Sequence, residues 1–170
     1  RASPRADLRV HWQKYKARGL RLPVAAVIGA VPVVPSTSIT EMPYGVNELD
    51  VAGALAGEAL DVVRCETLDI EVPAGAEIVI EGEIPTDFLI PDPPSGEHTG
   101  YTFIDRMSFA FNVRCITHRK NPIWHDLVDQ FPPSESSVMG NLTREALMSS
   151  FLKTSCGIPQ VKDVAFHHCG

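Results

Sequence analysis

The chain has 170 residues, a formal net charge of −6 at pH 7 and 44% hydrophobic residues. This length and composition indicate one soluble globular domain, with or without an added arm. The negative charge argues against nucleic acid as a partner, and no apolar run is long enough to span a membrane. The four cysteines are widely spaced and match no CxxC metal motif, so we expect a reducing cytoplasm and no disulfides.

Apolar periodicity, capping residues and turn residues predict helices at both ends of the chain and strands in its middle. The first elements predicted are a helix over residues 8–18, a fully buried strand over 24–30 and a loop or edge over 33–44. A helix over 48–55, capped by Asn47, is followed by one or two strands over 58–72 and by strands over 76–84 and 101–118. The last elements are a helix over 143–154, capped by Thr143, and a strand over 161–166. We expect the last helix to bury Ala146, Leu147, Phe151 and Leu152. Neighbouring strands with Gly and Pro corners favour an antiparallel barrel over a parallel sheet.

Two carboxylates, Asp92 and Glu97, lie five residues apart on a loop rich in proline and glycine. A rigid loop between strands can face both carboxylates into a cleft. Such a pair suits proton delivery if one member is partly desolvated and protonated near neutral pH. The alternative is a solvated turn that carries two surface acids.

Two further polar positions are open to a functional or a structural interpretation. Glu48 begins the short helix after Asn47, where it can complement the helix N-terminus or ligate a metal. The segment 36–40 offers hydroxyls and free backbone N–H groups that can hold a phosphate, but an ordinary loop has the same composition. The residues by themselves leave these alternatives open.

Four segments of the chain together resemble one enzyme family. They are, in order, PVAAVIG, GVNELDVAGALAGEALDVVRCETLDIEVPAGAEIVIEGEI, DPPSGEHTGYTF and VRCITHRKNPIWHDLV. Their sequences and order, from about Leu8 to Phe166, are similar to those of the UbiD-type decarboxylases, which include the polyprenyl-hydroxybenzoate and ferulate decarboxylases. The resemblance implies an α+β, mainly β fold, namely a split β-barrel of the flavin reductase type with flanking helices. It also implies prenylated FMN as the cofactor, with Mn²⁺ and K⁺ bridging the cofactor phosphate to the protein.

The acids that the family places over its cofactor match positions on the proline-rich loop. Glu97 corresponds to the proton donor, and Asp92 stands where the family usually has Glu. The resemblance therefore implies that Glu97 and Asp92 are the catalytic residues.

The family's metal and cofactor ligands match positions in the first third of the chain. Glu48 corresponds to the acid that ligates the metal, and Asp7 stands where the family has a metal-binding His. Because Asp can bind manganese through oxygen, we expect a metal site that contains Glu48 and Asp7. The implied cofactor-binding residues are Ser38, Ile39, Thr40, Glu41 and Glu48.

The resemblance also implies a role and a domain organisation. We expect the central domain of a longer, non-oxidative and reversible decarboxylase, inactive alone, that acts on an aromatic or α,β-unsaturated carboxylic acid through a prenylated-FMN adduct. The expected parts are a helical arm over residues 1–20, the cofactor-binding barrel over 21–160 and the start of a truncated C-terminal part over 161–170. The full-length protein is expected to be a homo-oligomer that binds neither nucleic acid nor membrane and receives its cofactor from a flavin prenyltransferase.

Two other functions remain open. One is a non-catalytic flavin-binding or assembly module of the same fold, which Asp7 and Asp92 favour because they depart from the family pattern. The other is a flavin reductase-like barrel that binds unmodified FMN, in which the paired acids are unexpected.

Overall fold

The computed structural model describes residues 7–40, 42, 45–96, 101–103, 107–128 and 131–167, apart from the side chains of Asp7 and Thr143. Helices and antiparallel strands both occur, so the fold is α+β. In chain order the elements are α1 (Asp7–Ala17), β1 (Leu22–Ile28), α2 (Val33–Ser38), α3 (Glu48–Ala56), β2 (Val62–Arg64), β3 (Glu71–Pro73), β4 (Ile78–Ile84), β5 (Ser95–Gly96), β6 (Thr102–Phe103), β7 (Asn112–His118) and α4 (Glu135–Thr154). None of the helices in this part of the chain is both long and apolar enough to cross a membrane.

The central sheet has the strand order β1-β4-β7, and both pairings are antiparallel. β4 lies between two neighbours and is largely buried, whereas β1 is half-buried after Leu22. The prediction of a fully buried first strand is therefore wrong, because β1 is an edge strand that keeps one side open.

A register shift between Glu81 and Gly82 brings β4 very close to β7. A Cβ atom at position 82 would lie 2.2 Å from the carbonyl oxygen of Asn112. The close approach of the two backbones therefore requires glycine at this position.

The helix predicted at the start of the chain is confirmed as α1, and it packs on β1. Its Trp12 is buried in one cluster with Leu22 and Ile84. The indole Nε1–H of Trp12 donates to the carbonyl oxygen of Pro85 at 2.8 Å, and its ring centroid lies 5.5 Å from that of Phe109. Trp12 thus attaches α1 to the sheet through burial, a hydrogen bond and a ring contact.

A buried carboxylate attaches the β2–β3 ribbon to the central sheet. Glu81 of β4 is fully buried and accepts hydrogen bonds from the N–H of Glu66 at 2.8 Å and from the N–H and Oγ1–H of Thr67 at 2.7 and 2.6 Å. Burial alone raises the pKa of Glu81, but the hydrogen bonds stabilise the carboxylate and the net effect lowers this pKa. The ionised carboxylate of Glu81 therefore fixes the turn between β2 and β3.

The segment 33–44 is not wholly loop or edge, as the sequence predicted, because it contains the short helix α2. Pro32 is the cap residue and Pro35 lies in the first turn. Backbone N–H groups at these positions have no partner within a helix, so proline costs no hydrogen bond there. The hydroxyls of Ser36 and Thr37 donate to carbonyl oxygens one turn earlier, at 2.9 and 3.1 Å. Residue types that indicate a loop are therefore compatible with this short helix.

The last helix, α4, begins at Glu135 and not at Thr143. Ser134 caps it in a capping box with Ser137, so Thr143 is an interior residue. α2 packs against α4, but this contact is small and leaves most of the helix open. The expected buried face is consequently exposed at Ala146, Leu147 and Phe151 and half-buried at Leu152.

Two predicted strands also differ from the structure. The run 161–166 forms no strand, because the N–H of Phe166 donates to Oε1 of Glu145 in α4 at 2.9 Å instead of to a neighbouring strand. The run 101–118 is divided into β6 and β7. The described strands form one three-stranded sheet and two two-stranded ribbons, all antiparallel, which confirms the antiparallel arrangement and leaves the split barrel a prediction.

Candidate functional site

The helices α2 and α3 pack against each other and form the better defined part of the candidate site. On α2, Thr37 is 1% exposed, and its Oγ1–H lies 3.1 and 3.0 Å from the carbonyl oxygens of Val33 and Val34. On α3, Ala52 is completely buried. A packed pair of this kind fixes the positions of the residues at its ends.

Both ends of α3 follow the sequence prediction. The Oδ1 atom of Asn47 accepts a hydrogen bond from the N–H of Leu49 at 3.0 Å, which caps the first turn. Gly57 ends the helix with φ of +76°, a left-handed conformation that favours glycine. The predicted helix over 48–55 is thus confirmed within one residue, and Glu48 is its first residue.

The Glu48 side chain is half-buried at the start of α3. Within the described part of the chain, no residue forms an ion pair or a side-chain hydrogen bond with its carboxylate. Asp50 lies in the same first turn and is exposed. A half-buried carboxylate without a protein partner is suited to binding a cation.

The predicted cofactor segment lies at the C-terminal end of α2. Ser38 Oγ–H donates to the carbonyl oxygen of Pro35 at 2.8 Å, and Thr40 Oγ1–H donates to that of Ser36 at 3.0 Å. The N–H of Ile39 donates to the carbonyl oxygen of Pro35 at 3.3 Å. The backbone N–H groups that we expected to be free are therefore occupied at Ile39 and Thr40, while the hydroxyl oxygens keep lone pairs for a cation.

Asp92 lies on a different part of the molecule, an arm over residues 90–108. An isolated bridge joins Ile90 to Ser108 at the base of the arm, with N–H···O distances of 2.9 and 2.6 Å. Farther along, β5 pairs with β6. Asp92 is exposed between these two pairings. Glu97, which follows β5 directly, lies outside the described residues.

The structure brings together only some of the predicted site residues. The segment 38–40 and Glu48 lie on the packed pair α2–α3, whereas the described elements show no packing of comparable extent between this pair and the β5–β6 ribbon. Asp7 is the first residue of α1, but its side chain is not described, and Glu41 lies outside the described residues. No three His, Cys, Asp or Glu side chains among the described residues lie close enough together to hold a metal ion.

A groove of about 860 Å³ beside α3 was not predicted from the sequence. Glu48 does not line this groove, but Asn47 and Leu49 on either side of it do. The sequence carries no local signal for it, because α3 and the distant β2–β3 ribbon both contribute. Its lining residues are Asn47, Leu49, Asp50, Gly53, Ala54, Gly57, Glu58, Ala59, Leu60, Val62 and Glu71.

The family of the chain follows from a match that covers most of its length. A family model described as the UbiD 3-octaprenyl-4-hydroxybenzoate carboxy-lyase Rift-related domain matches residues 1–131. The chain belongs to the UbiD family. The resemblance seen in the sequence motifs is thereby confirmed.

Relatives of this UbiD-family chain are considerably longer. An uncharacterised protein of Archaeoglobus fulgidus is 35% identical in an alignment of 150 positions that covers 82% of this chain and 31% of that protein. An evolved dimeric form of the UbiD-class enzyme HmfF from Pelotomaculum thermopropionicum, in complex with prFMN, is 35% identical with a TM-score of 0.87 over 98% of this chain and 38% of that one. Vanillic acid decarboxylase of Sedimentibacter hydroxybenzoicus in its closed form is 32% identical, with a TM-score of 0.88. That match covers 97% of this chain and 35% of the decarboxylase chain. The chain therefore spans about a third of the length of these proteins.

Proposed function

We propose that this chain is the cofactor-binding central domain of a longer decarboxylase, which acts reversibly and without oxidation on an aromatic or α,β-unsaturated carboxylic acid. Support comes from the similarity to HmfF, whose structure contains prFMN, and to vanillic acid decarboxylase. The observation that carries the proposal is the position of Glu48, a half-buried carboxylate at the start of α3 with no partner among the described residues.

We propose that the cofactor phosphate is held beside the start of α3 through cations. A phosphate beside Glu48 would meet a like charge, so a cation between the two anions is required. We propose that Glu48 and Asp7 bind Mn²⁺, because carboxylate oxygens suit this metal. The oxygen-rich segment over Ser38, Ile39, Thr40 and Glu41 is proposed to follow the cofactor and to contribute oxygen ligands to K⁺.

The catalytic part of the proposal concerns a single proton. Bound prenylated FMN supplies the electron sink for the loss of CO₂. Glu97 is proposed to donate the proton that the substrate carbon needs once CO₂ has left, and Asp92 to share the proton and hydrogen-bond network. The titration then belongs to the pair of acids and not to either one alone.

The remaining expectations belong to the same proposal. We propose a helical arm over residues 1–20 and a split barrel over residues 21–160. The full-length protein is proposed to be a cytoplasmic homo-oligomer that obtains its cofactor from a flavin prenyltransferase. The dimeric form of HmfF supports the expected self-association.

The test compares two acids in the first turn of α3. In the full-length protein, Glu48→Gln is expected to abolish Mn²⁺-dependent retention of prenylated FMN through gel filtration. Asp50→Asn is the matched control, because it removes one charge from the same turn at an exposed position and leaves retention intact. Equal retention in both variants would show that Glu48 does not bind the metal.

The alternative is a non-catalytic flavin-binding or assembly module of the same fold. Asp7 and Asp92, which depart from the family pattern, favour this second function. A full-length protein that retains the cofactor but does not exchange hydrogen at the substrate carbon in D₂O would support the alternative over the decarboxylase.

A further inference from the structure

The first turn of α3 depends on one side chain that the proposed mechanism does not use. Asn47 is exposed and has extended backbone angles, with φ of −85° and ψ of 120°. Its Oδ1 atom accepts the hydrogen bond from the N–H of Leu49 at 3.0 Å. This bond satisfies one of the backbone donors that a helix start leaves without an intrahelical partner.

The rest of α3 is held independently of Asn47. Ala52 is completely buried in the middle of the helix, which packs against α2. At the other end, the N–H of Gly57 donates to the carbonyl oxygen of Ala54 at 3.3 Å, and the N–H of Glu58 donates to that of Gly53 at 3.2 Å. Loss of the Asn47 cap should therefore release the first turn and leave the middle and the C-terminal end in place.

Glu48 is the residue that such a release would move. It is the first residue of α3, and within the described part of the chain nothing holds its carboxylate. The position of this carboxylate therefore depends on the backbone, and the Asn47 cap determines where the helical backbone begins.

We propose that Asn47 is a positioning residue whose cap holds the Glu48 carboxylate where it can bind the divalent cation. This role rests on the proposed function of Glu48. We assign Asn47 to the cap and not to the metal ligands, because its Oδ1 atom accepts a hydrogen bond from the N–H of Leu49.

The test measures Mn²⁺ affinity of the full-length protein by the loss of the free-ion EPR signal, with no substrate present. Asn47→Ala is expected to weaken Mn²⁺ binding about fivefold, the change that corresponds to a lost cap of about 1 kcal/mol. Asn47→Ser restores a capping hydroxyl without an amide, so its affinity should lie within about twofold of the unsubstituted protein.

A second capped helix provides the matched control. Ser134 also caps its helix, α4, by accepting a backbone N–H with its side chain, so Ser134→Ala should lower the thermal unfolding temperature without changing Mn²⁺ affinity. If Ser134→Ala weakens Mn²⁺ binding as much as Asn47→Ala does, the effect is general destabilisation and the positioning role is wrong. If Asn47→Ser binds as weakly as Asn47→Ala, the amide itself contacts the ion and the cap does not explain the effect.

The same titration separates this inference from the proposal on which it rests. If Glu48→Gln leaves Mn²⁺ affinity unchanged, the metal site proposed above is wrong. If Glu48→Gln abolishes binding and Asn47→Ala has no effect, Glu48 is a ligand and only the role of Asn47 is refuted.

Discussion

The two halves of the candidate site are built in different ways. The α2–α3 pair is held by burial on both helices, at Thr37 and Ala52, and α3 has a defined cap at each end. In the 90–108 arm, the described residues are joined by the bridge between Ile90 and Ser108 and by a ribbon of two residue pairs, and residues 91–96 are exposed. Packing within the chain thus fixes the place of Glu48, whereas Asp92 sits on an arm held mainly by backbone pairing. We therefore expect the position of Asp92 to depend on contacts made when the cofactor and substrate bind.

The largest expected effect concerns the proposed proton donor. In the full-length enzyme, Glu97→Gln should lower turnover by about 10²–10⁴-fold, because a positioned general acid contributes that much. Cofactor retention, read from the flavin absorbance after gel filtration, should be unchanged, since Glu97 is not a proposed cofactor ligand. Substantial turnover in this variant would refute the assignment of the proton donor.

The buried carboxylate of Glu81 gives the largest expected effect on stability. Glu81→Gln should lower the free energy of unfolding by about 2–4 kcal/mol at pH 7, because three hydrogen bonds to a buried charge are weakened or lost. Urea unfolding measures the change, and Glu58→Gln on the exposed surface is the control.

The pH dependence of this difference follows from the lowered pKa of Glu81, whose usual value is 4.5. A carboxyl with a lowered pKa in the folded state contributes its full stabilisation above the unfolded value and loses it as the pH falls through the folded value. The gap between Glu81→Gln and the unsubstituted chain should therefore be constant above about pH 5.5 and shrink below pH 4.5. A gap that does not change between pH 7 and pH 3 would contradict a charged Glu81.

One pair of substitutions compares the two halves of the site directly. Ala52→Val adds two methyl groups to a fully buried position and should cost about 1–3 kcal/mol of unfolding free energy. Ile90→Ala changes a residue that is 41% exposed and should cost less than about 1 kcal/mol. Urea unfolding of both variants tests the ranking, and a reversed order would mean that the arm is the better packed half.

The smallest expected effect is at the end of α3. Gly57→Ala should lower the free energy of unfolding by about 1 kcal/mol, because alanine tolerates a φ of +76° poorly. Gly96→Ala on the arm, where a Cβ would meet nothing within 4 Å, is the matched control and should change it by less than about 0.5 kcal/mol. A similar loss of unfolding free energy in both variants would show that the left-handed conformation of Gly57 does not stabilise the protein.

Local signals predicted α3 well. Asn47 and Gly57 act on neighbouring backbone groups, so their residue types reveal both ends of the helix. The start of α4 has an equally local signal at Ser134, but the apolar periodicity favours the later Thr143 as the cap. The burial of α4 depends on which other elements cover it, and no periodicity in the helix itself contains that information.

The site could be predicted in part. The family resemblance implies a role for Glu48, and the structure places this residue at the start of a packed helix, while the role itself stays a prediction. The sequence does not predict that the backbone N–H groups of Ile39 and Thr40 are hydrogen-bonded. These bonds exist because α2 is helical, whereas the prolines and hydroxyl side chains of this segment indicate a loop. The run 161–166 alternates like a strand, but a strand also needs a neighbour, and here Glu145 takes the N–H of Phe166.

The central claim is that the chain holds prenylated FMN through a metal at Glu48. The most direct test mixes the full-length protein with prenylated FMN, Mn²⁺ and K⁺, removes free cofactor by gel filtration and records the absorbance spectrum, with and without a chelator. We expect the flavin to comigrate with the protein only when the metal is present and to be lost in Glu48→Gln. Flavin that comigrates equally in Glu48→Gln, or in the presence of chelator, would contradict it.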